Sequence, residues 1–443
     1  MVIKFSCVTA YYIALMEKLT VKNFLNIKDI EFNLSKINII IGQQASGKSI
    51  LAKLVYFFKD FFIKYRSSIH KKQKKAEFDK SIITTFKIIF PEYSWKNQEF
   101  QILYEFDSYS VALNNQKSDD NKSKLSLIYS EYLVKVRRKI LSEYNKKTLE
   151  YAENNPEKIE EYYNTIFTEY ILKDNHFNSL ELITFIPAGR SFFANLQNNI
   201  FSFLSGNIVI DYFLQEFGSA YERVKNIYQL RKLIHALNLN DSIDELINQI
   251  IVGNYSYEKD QDWILYTNET NKNRRTNLSH SSSGQQEALP MTLILAILPF
   301  ISSTTRLFII EEPEAHLFPT SQKHIVSLIS QVFNTTEKKH KFFITTHSPY
   351  ILTAFNNLIQ AGNTLKALRE KPEQNDLLEA LFKIVPENQT LDINDVAAYT
   401  IKNGMIESLI NEDNNLIDTN IIDEVSNEFS QVFEKLIELE FGE

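Results

Sequence analysis

The segment Gly42-Gln43-Gln44-Ala45-Ser46-Gly47-Lys48-Ser49 sets two glycines, a lysine and a hydroxyl at the spacing G-x-x-x-x-G-K-[ST]. That spacing suits a phosphate cradle. Glycines let backbone N–H groups approach phosphate oxygens, and the start of the following helix adds its own free N–H groups. Lys48 neutralises the outer phosphates, and the Ser49 hydroxyl is placed to ligate Mg²⁺. All eight residues are candidate ligands of a nucleoside triphosphate. Lys48 is also a candidate catalytic residue, and Ser49 a candidate metal ligand.

Three further strings offer complementary chemistry. An apolar run from Leu307 to Ile310 ends in the adjacent acids Glu311 and Glu312, followed by Pro313-Glu314-Ala315-His316-Leu317. Beside a phosphate loop, the first acid would hold Mg²⁺ and the second would polarise the attacking water, so Glu311 is a metal ligand and Glu312 the base. Ser281-Ser282-Ser283-Gly284-Gln285-Gln286-Glu287 precedes an apolar helix over Leu289–Leu298. Its hydroxyls, its glycine and the helix N-terminus would present donors to a γ-phosphate. Phe342-Phe343-Ile344-Thr345-Thr346 leads to His347, delivered at the strand end where open α/β sheets bind ligands.

These residues need elements to hold them. Ile37–Ile41 reads as a buried parallel strand before the loop, with a helix from Ser49 to about Phe62 after it. Leu182–Ile186, Leu307–Ile310 and Phe342–Thr346 read as further buried strands. Leu19–Leu34 reads as two strands around a turn at Asn26–Lys28, and Ile82–Phe90 and Phe100–Leu113 as strands. Asn114–Lys124 is a polar loop, and Leu125 to about Leu172 reads as helices. Helical pattern returns over Ile208–Val252, and a polar hairpin follows at Asn254–Asn277. The tail, Asp395–Glu443, reads as a hairpin around Asn403-Gly404 and a helix from about Asp423. Alternating buried strands and helices predict an α/β core. The expected division is an apolar extension over 1–15, an N-terminal lobe over 16–120 and a helical insert with a strand at 182–190 over 121–255. A C-terminal lobe over 256–360 and a tail over 361–443 complete it.

Composition narrows the class. The 443 residues include only 10 glycines, against an ordinary usage of about 7%. Glycine in such a chain marks positions where a side chain is not tolerated. One cysteine, Cys7, excludes a disulfide framework and a Cys-ligated zinc site. The net charge of −7 excludes a uniformly basic nucleic-acid coat. No apolar run is long enough for a membrane helix, and a reduced, cytoplasmic setting is expected. Met1–Leu15 can be read as a short signal peptide or as an extension upstream of a natural start at Met16. The second reading is preferred, because no small-residue cleavage site follows.

Together the four strings resemble the ATP-binding-cassette type of ATPase head, in particular its stand-alone OLD-like and RecF/SMC-like branch. Glu311-Glu312-Pro313-Glu314-Ala315-His316-Leu317 and Ile186-Pro187-Ala188-Gly189-Arg190 are similar to that branch's patterns. The resemblance implies an α/β P-loop NTPase fold: a mixed central sheet with an antiparallel β lobe and an inserted helical lobe. It makes Gly42–Ser49 the Walker A loop, Glu311/Glu312 the Walker B pair, Ser282, Ser283, Gly284 and Gln285 the signature, and His347 the switch histidine. It implies ATP with Mg²⁺, and a head-to-tail homodimer or higher oligomer in which one copy's signature covers the other's ATP. Glu312 and His347 would then act in hydrolysis. Three positions depart from the pattern. Glu311 stands where aspartate is usual, the final aspartate of the D-loop is replaced near Phe318-Pro319, and the Q-loop glutamine has no clear counterpart. Arg190, at the strand end in the corresponding place, is the candidate substitute.

Larger OLD proteins add a Toprim nuclease, which needs an Asp-x-Asp pair. After His347 this chain has Asp392 and Asp395 but no such pair, so no built-in nuclease is expected. A compact head of this kind resembles the ATPase subunits of bacterial anti-phage defence systems, which work with a separately encoded effector, a nuclease or toxin. Two other readings remain: a RecF-like DNA-repair ATPase and a non-catalytic, ATP-gated scaffold. DNA phosphates could be met by the basic stretch Lys64–Lys80, by Lys135, Arg137, Arg138 and Lys139, or by Lys272, Arg274 and Arg275. Solvated helix faces explain these charges equally well.

Overall fold

The computed structural model describes residues 17–106, 109–117, 123–151, 156–167, 181–194, 210–233, 241–268, 271–302, 304–371, 375–419 and 430–438. The apolar extension over 1–15 lies outside them.

One 11-stranded mixed sheet organises the chain. Its parallel part is built from β3 (Ile37–Ile41), β7 (Leu182–Ile186), β11 (Arg306–Glu311) and β12 (Lys341–Thr346). They lie in the order β3-β12-β11-β7, all parallel. Apart from the exposed start of the edge strand β7, these strands are buried on both faces, which is why they read as continuous apolar runs. Alternate side chains feed two cores. Ile37, Ile39, Phe308, Ile310, Phe342 and Ile344 face one side, and Ile40, Leu307, Ile309 and Phe343 the other.

The second core holds α1 (Lys48–His70), whose Leu51, Leu54, Val55 and Phe58 are buried. Around it stand the antiparallel strands β1 (Glu17–Phe24), β2 (Ile27–Leu34), β4 (Phe100–Phe106), β5 (Tyr109–Lys117) and β6 (Ser123–Tyr129). The helices α2 (Lys75–Ile89), α3 (Glu131–Tyr151) and α4 (Pro156–Phe167) complete this lobe. The first core is covered by α5 (Tyr212–Leu233), α6 (Asp241–Ile251), α7 (Ser283–Ile297), α8 (Pro319–Thr335) and α9 (Pro349–Arg369). A separate three-stranded sheet is formed by β8 (Asn254–Glu258), β9 (Gln261–Asn268) and β10 (Asn271–Asn277).

Two local expectations change, and a third gains a wider role. Ile82–Phe90 is not a strand: Ile82–Ile89 form the second half of α2 and Phe90 is its C-cap, because Phe78, Ile82, Phe86 and Ile89 are buried at helical spacing. Of the loop expected over Asn114–Lys124, Asn114–Lys117 belong to β5 and Ser123–Lys124 to β6, as does the start of the expected helical stretch at Leu125, paired from Val111↔Tyr129 to Lys117↔Ser123; positions 118–122 lie outside the described residues. The tail hairpin around Asn403-Gly404 forms as expected, with φ of 55° and 79° at the two residues. Its strands β13 (Val396–Lys402) and β14 (Met405–Ser408) are not an appendage, however. β13 pairs in parallel with β3, and β14 meets β2, so the tail closes the gap between the antiparallel lobe and the parallel core.

Candidate active site

The phosphate loop leaves β3 at its C-terminal end, flanked by β12 and β13. Gly47 caps α1 with φ of 110°, a left-handed conformation in which a side chain would also press on Ile27 and Asn26. Among the described residues no side chain caps this helix, so its first N–H groups remain for a ligand. Lys48 curls over the loop, with Nζ donating to the carbonyls of Gly42 at 2.8 Å and Gln43 at 2.7 Å. Burial pushes its pKa down to about 8, against the opposing pull of Glu312 and Glu314.

The acids arrive on β11, beside β12, with Glu311 opposite Thr345. Glu311 is 6% exposed. Burial raises its pKa, the neighbouring Ser49 hydroxyl and Lys53 oppose the rise, and its Oε1 has no hydrogen-bond partner among the described residues. A buried, unpartnered carboxylate oxygen beside the loop hydroxyl is the donor set that a Mg²⁺ ion takes. The residues therefore fit that ion despite the glutamate in place of aspartate. Glu312 follows with a φ of 45°, held there by its N–H donating to Thr345 O. Non-glycine residues in this region cost about 1–3 kcal/mol and collect at functional sites.

His347 joins the loop to the acid. Its Nδ1 lies 3.3 Å from Lys48 Nζ, and its Nε2 lies 3.3 Å from Glu312 Oε1. A lysine ammonium can only donate, so Nδ1 accepts and the ring proton sits on Nε2, directed at Glu312. The His347 N–H in turn donates to Glu314 Oε1 at 2.6 Å. Lys48, His347 and Glu312 thus form one row. The side chains of His347 and Glu312 stay partly open to solvent.

Arg190 takes a different place from the one expected. It is fully buried, and donates to the carbonyls of Pro187 (2.9 Å), Glu287 (2.9 Å), Glu311 (2.8 Å) and Glu312 (3.0 Å). It braces the acid-bearing turn from behind. Its partner Glu287 accepts from the backbone N–H groups of Arg190 and Ser191. Sequence reading gave Glu287 no role; its signal was a carboxylate opening the otherwise apolar helix α7.

The signature string forms the start of α7. Ser282 is its N-cap, in a reciprocal capping box with Gln285. Gly284 packs so closely that a Cβ would meet His316 O at 2.6 Å, which seats this helix on the turn after the acids. Gln285 also donates to Ile251 O at 2.7 Å and to the Tyr266 hydroxyl at 3.2 Å. Ser282 and Ser283 are exposed. Among the described residues, no hydrogen bond joins this string to Gly42–Ser49.

Two contributors were missed. Asn26, in the β1–β2 turn, donates to the Ala45 carbonyl and lies against Gly47. That turn is held in place by Gly404 O, which accepts from Lys28 and Asp29, and Ile401 O backs Gly42. Short polar turns carry no sequence signal for such long-range contacts. Several candidate DNA contacts are engaged within the lobe: Lys64 with Asp60, Arg66 with Asn164, Lys75 with Asp79, and Arg137 with Ser68 and Gln73.

Comparison with known proteins shows the family of the chain. A profile described as AAA ATPase domain matches residues 16–352. No curated protein matches the chain. Among solved structures, the chain is similar to an SMC head bound to the C-terminal winged-helix domain of ScpA. The two share 15% identity over 90% of this chain and 98% of that one, with a TM-score of 0.35. The SMC head domain from Thermotoga maritima is 12% identical over 89% and 97%, with a TM-score of 0.33. The recombination mediator RecF is 11% identical over 89% and 98%, with a TM-score of 0.28. With its phosphate loop, acid pair and histidine gathered at one sheet edge and the profile covering most of its length, the chain belongs to the AAA ATPase domain family.

Proposed function

We propose that this protein binds ATP with Mg²⁺ and hydrolyses it in a head-to-tail dimer. The observation that carries this reading is the Lys48–His347–Glu312 row beside the unpartnered, buried oxygen of Glu311. The loop N–H groups and Lys48 bind and neutralise phosphate oxygens. Ser49 and Glu311 would hold Mg²⁺, which when bound withdraws charge from the phosphates. Glu312 accepts the proton of the attacking water. His347, fixed through Nδ1 and its backbone N–H, orients that water and the carboxylate. The exposed Ser282 and Ser283 have no bond to their own loop, which supports their covering the nucleotide of a second copy.

Glu312→Gln tests the assignment. It should cut phosphate release by about 10²–10⁴-fold and accumulate an ATP-bound dimer in sedimentation. Hydrolysis at the wild-type rate in that variant would falsify the role of Glu312. Lys48→Ala should abolish ATP binding.

The dimer's cycle is proposed to control a separately encoded effector, a nuclease or toxin, in bacterial anti-phage defence. This part rests on the resemblance to the ATPase subunits of such systems. Phage challenge of a host carrying the native locus checks it: protection should disappear with Lys48→Ala. ATP-dependent DNA retention by the chain alone, with no effect on phage, would favour a RecF-like repair role instead.

A further inference from the structure

Arg274 and Arg275 are neighbours on β10, so their side chains stand on opposite faces of the small sheet. Pairing with β9 sets Arg275 opposite Leu265 and Arg274 opposite Tyr266. Arg275 is engaged on the outer face: its guanidinium lies 4.4 Å from the centroid of the Trp263 ring and 3.2 Å from Glu258. Arg274 shares the inner face with Tyr266, Ile264 and Asp262, and the latter two are buried against the body of the protein. Yet Arg274 itself is exposed and makes no hydrogen bond or ion pair among the described residues. The register breaks between Asn271 and Arg274, immediately before it. Such irregularities re-aim side chains and recur beside active sites.

What lies next to Arg274 gives it a use. Directly paired residues on one sheet face have Cβ atoms about 4.5–5.5 Å apart. Its partner Tyr266 exchanges hydrogen bonds with the Gln285 side chain, inside the signature string. Arg274 thus stands one cross-strand neighbour away from the string that carries the exposed Ser282 and Ser283. Its planar fork of donors matches phosphate oxygens, and with no counter-charge on it among the described residues that capacity is free.

We propose that Arg274 is a catalytic residue acting in trans, donating to phosphate oxygens of the nucleotide held by Gly42–Ser49 of a second copy. This rests on the head-to-tail reading above. Arg274 forms no covalent bond. The water oxygen bonds to the γ-phosphorus, the bond to the β–γ bridging oxygen breaks, Glu312 takes the proton, and ADP and phosphate leave. Arg274 stabilises the charge that develops during this exchange.

The test is phosphate release without DNA from Arg274→Ala, Arg274→Lys and Arg275→Ala. Arg274→Ala should lose about 100-fold or more, given that arginines supplied in trans contribute about 10³–10⁵-fold in related chemistry. Arg274→Lys should recover part of the loss, and Arg275→Ala should match wild type. Mixing then decides the geometry. In a dimer of Arg274→Ala with Glu312→Gln, one site combines an intact Glu312 with an intact Arg274. The mixture should give a first-turnover phosphate burst that neither variant gives alone. An inactive Arg274→Ala with no burst on mixing overturns action in trans. Turnover by Arg274→Ala equal to that of Arg275→Ala overturns any catalytic role, and if salt-sensitive DNA binding is lost instead, the residue is a DNA contact. Failure of Glu312→Gln to dimerise with ATP would bring down the head-to-tail reading itself, so the two failures are distinguishable.

Discussion

The elements that build the ATP edge also carry a second charged cluster, and the two are constructed in opposite ways. Lys59 on α1 lies 2.7 Å from Glu17 at the start of β1 and 2.8 Å from Glu181, just before β7. Lys341, at the start of β12, approaches the same two acids at 3.4 and 3.5 Å, and the Tyr104 hydroxyl donates to Glu17. Burial pushes the pKa of Glu17 up, but Lys59, Lys341 and Tyr104 outweigh it and hold the value at about 2. At the other end of these strands burial acts on Glu311 in the same direction, Ser49 and Lys53 fail to offset it, and the pKa stays raised. There, among the described residues, Glu311 Oε1 has neither a hydrogen-bond partner nor an ion pair, and Glu312 sits at positive φ. One end neutralises its charges and ties the antiparallel lobe to the core. The other leaves capacity for a ligand and bears the cost in stability.

The most direct way to break this contrast is to exchange effects between the ends. Glu312→Gln should cost about 10²–10⁴-fold in turnover while leaving the urea midpoint near wild type. Glu17→Gln should do the reverse. It removes one acid from a buried ionic cluster, so it should destabilise by about 3–5 kcal/mol in chemical denaturation, with turnover per folded molecule unchanged. If Glu17→Gln impaired turnover as Glu312→Gln does, the division of labour would be wrong.

A subtler separation comes from pH, measured without nucleotide or Mg²⁺. Because the folded pKa of Glu311 is raised, its stabilising contribution is present below the ordinary glutamate value of 4.5 and is lost as pH rises through the folded value. Glu17 behaves oppositely: its contribution is present above 4.5 and is lost as pH falls toward about 2. Denaturation midpoints across pH should therefore lose the first slope in Glu311→Gln and the second in Glu17→Gln. The same residual slopes in both variants would show that these acids are not the source. The smallest effect is expected at Asn26. Asn26→Ala removes its hydrogen bond to the Ala45 carbonyl, and equilibrium titration should show ATP binding weaker by roughly fivefold, about 1 kcal/mol.

Much of the site was legible because its residues fall in short, contiguous strings at strand ends. Gly42–Ser49, Glu311-Glu312 and His347 each follow an apolar run that announces a buried strand, and the structure brings all three to one edge. Arg190 was harder to read. Its place at the end of β7 follows from the sequence pattern, but whether an arginine there faces a ligand or the protein depends on which carbonyls surround it. Asn26 bears no local mark, and Glu287 only that of a carboxylate near the start of an apolar helix, since their partners lie 19 and 97 residues away in the chain. Ile82–Phe90 misled because a run of β-branched and aromatic residues suits a strand locally, while burial at positions 78, 82, 86 and 89 rewards a helix.

The sequence by itself determined the phosphate loop, the acid pair, the α/β alternation and the tail hairpin, since each depends on local spacing and backbone preference. Only the tertiary structure decided that this hairpin completes the central sheet beside the loop and that Lys48, His347 and Glu312 form one row. It also decided that Arg190 braces the acids, and that Arg274 stands free where Arg275 does not. Those outcomes are set by strand order, register and burial, which join residues hundreds of positions apart and are fixed only when the whole sheet closes.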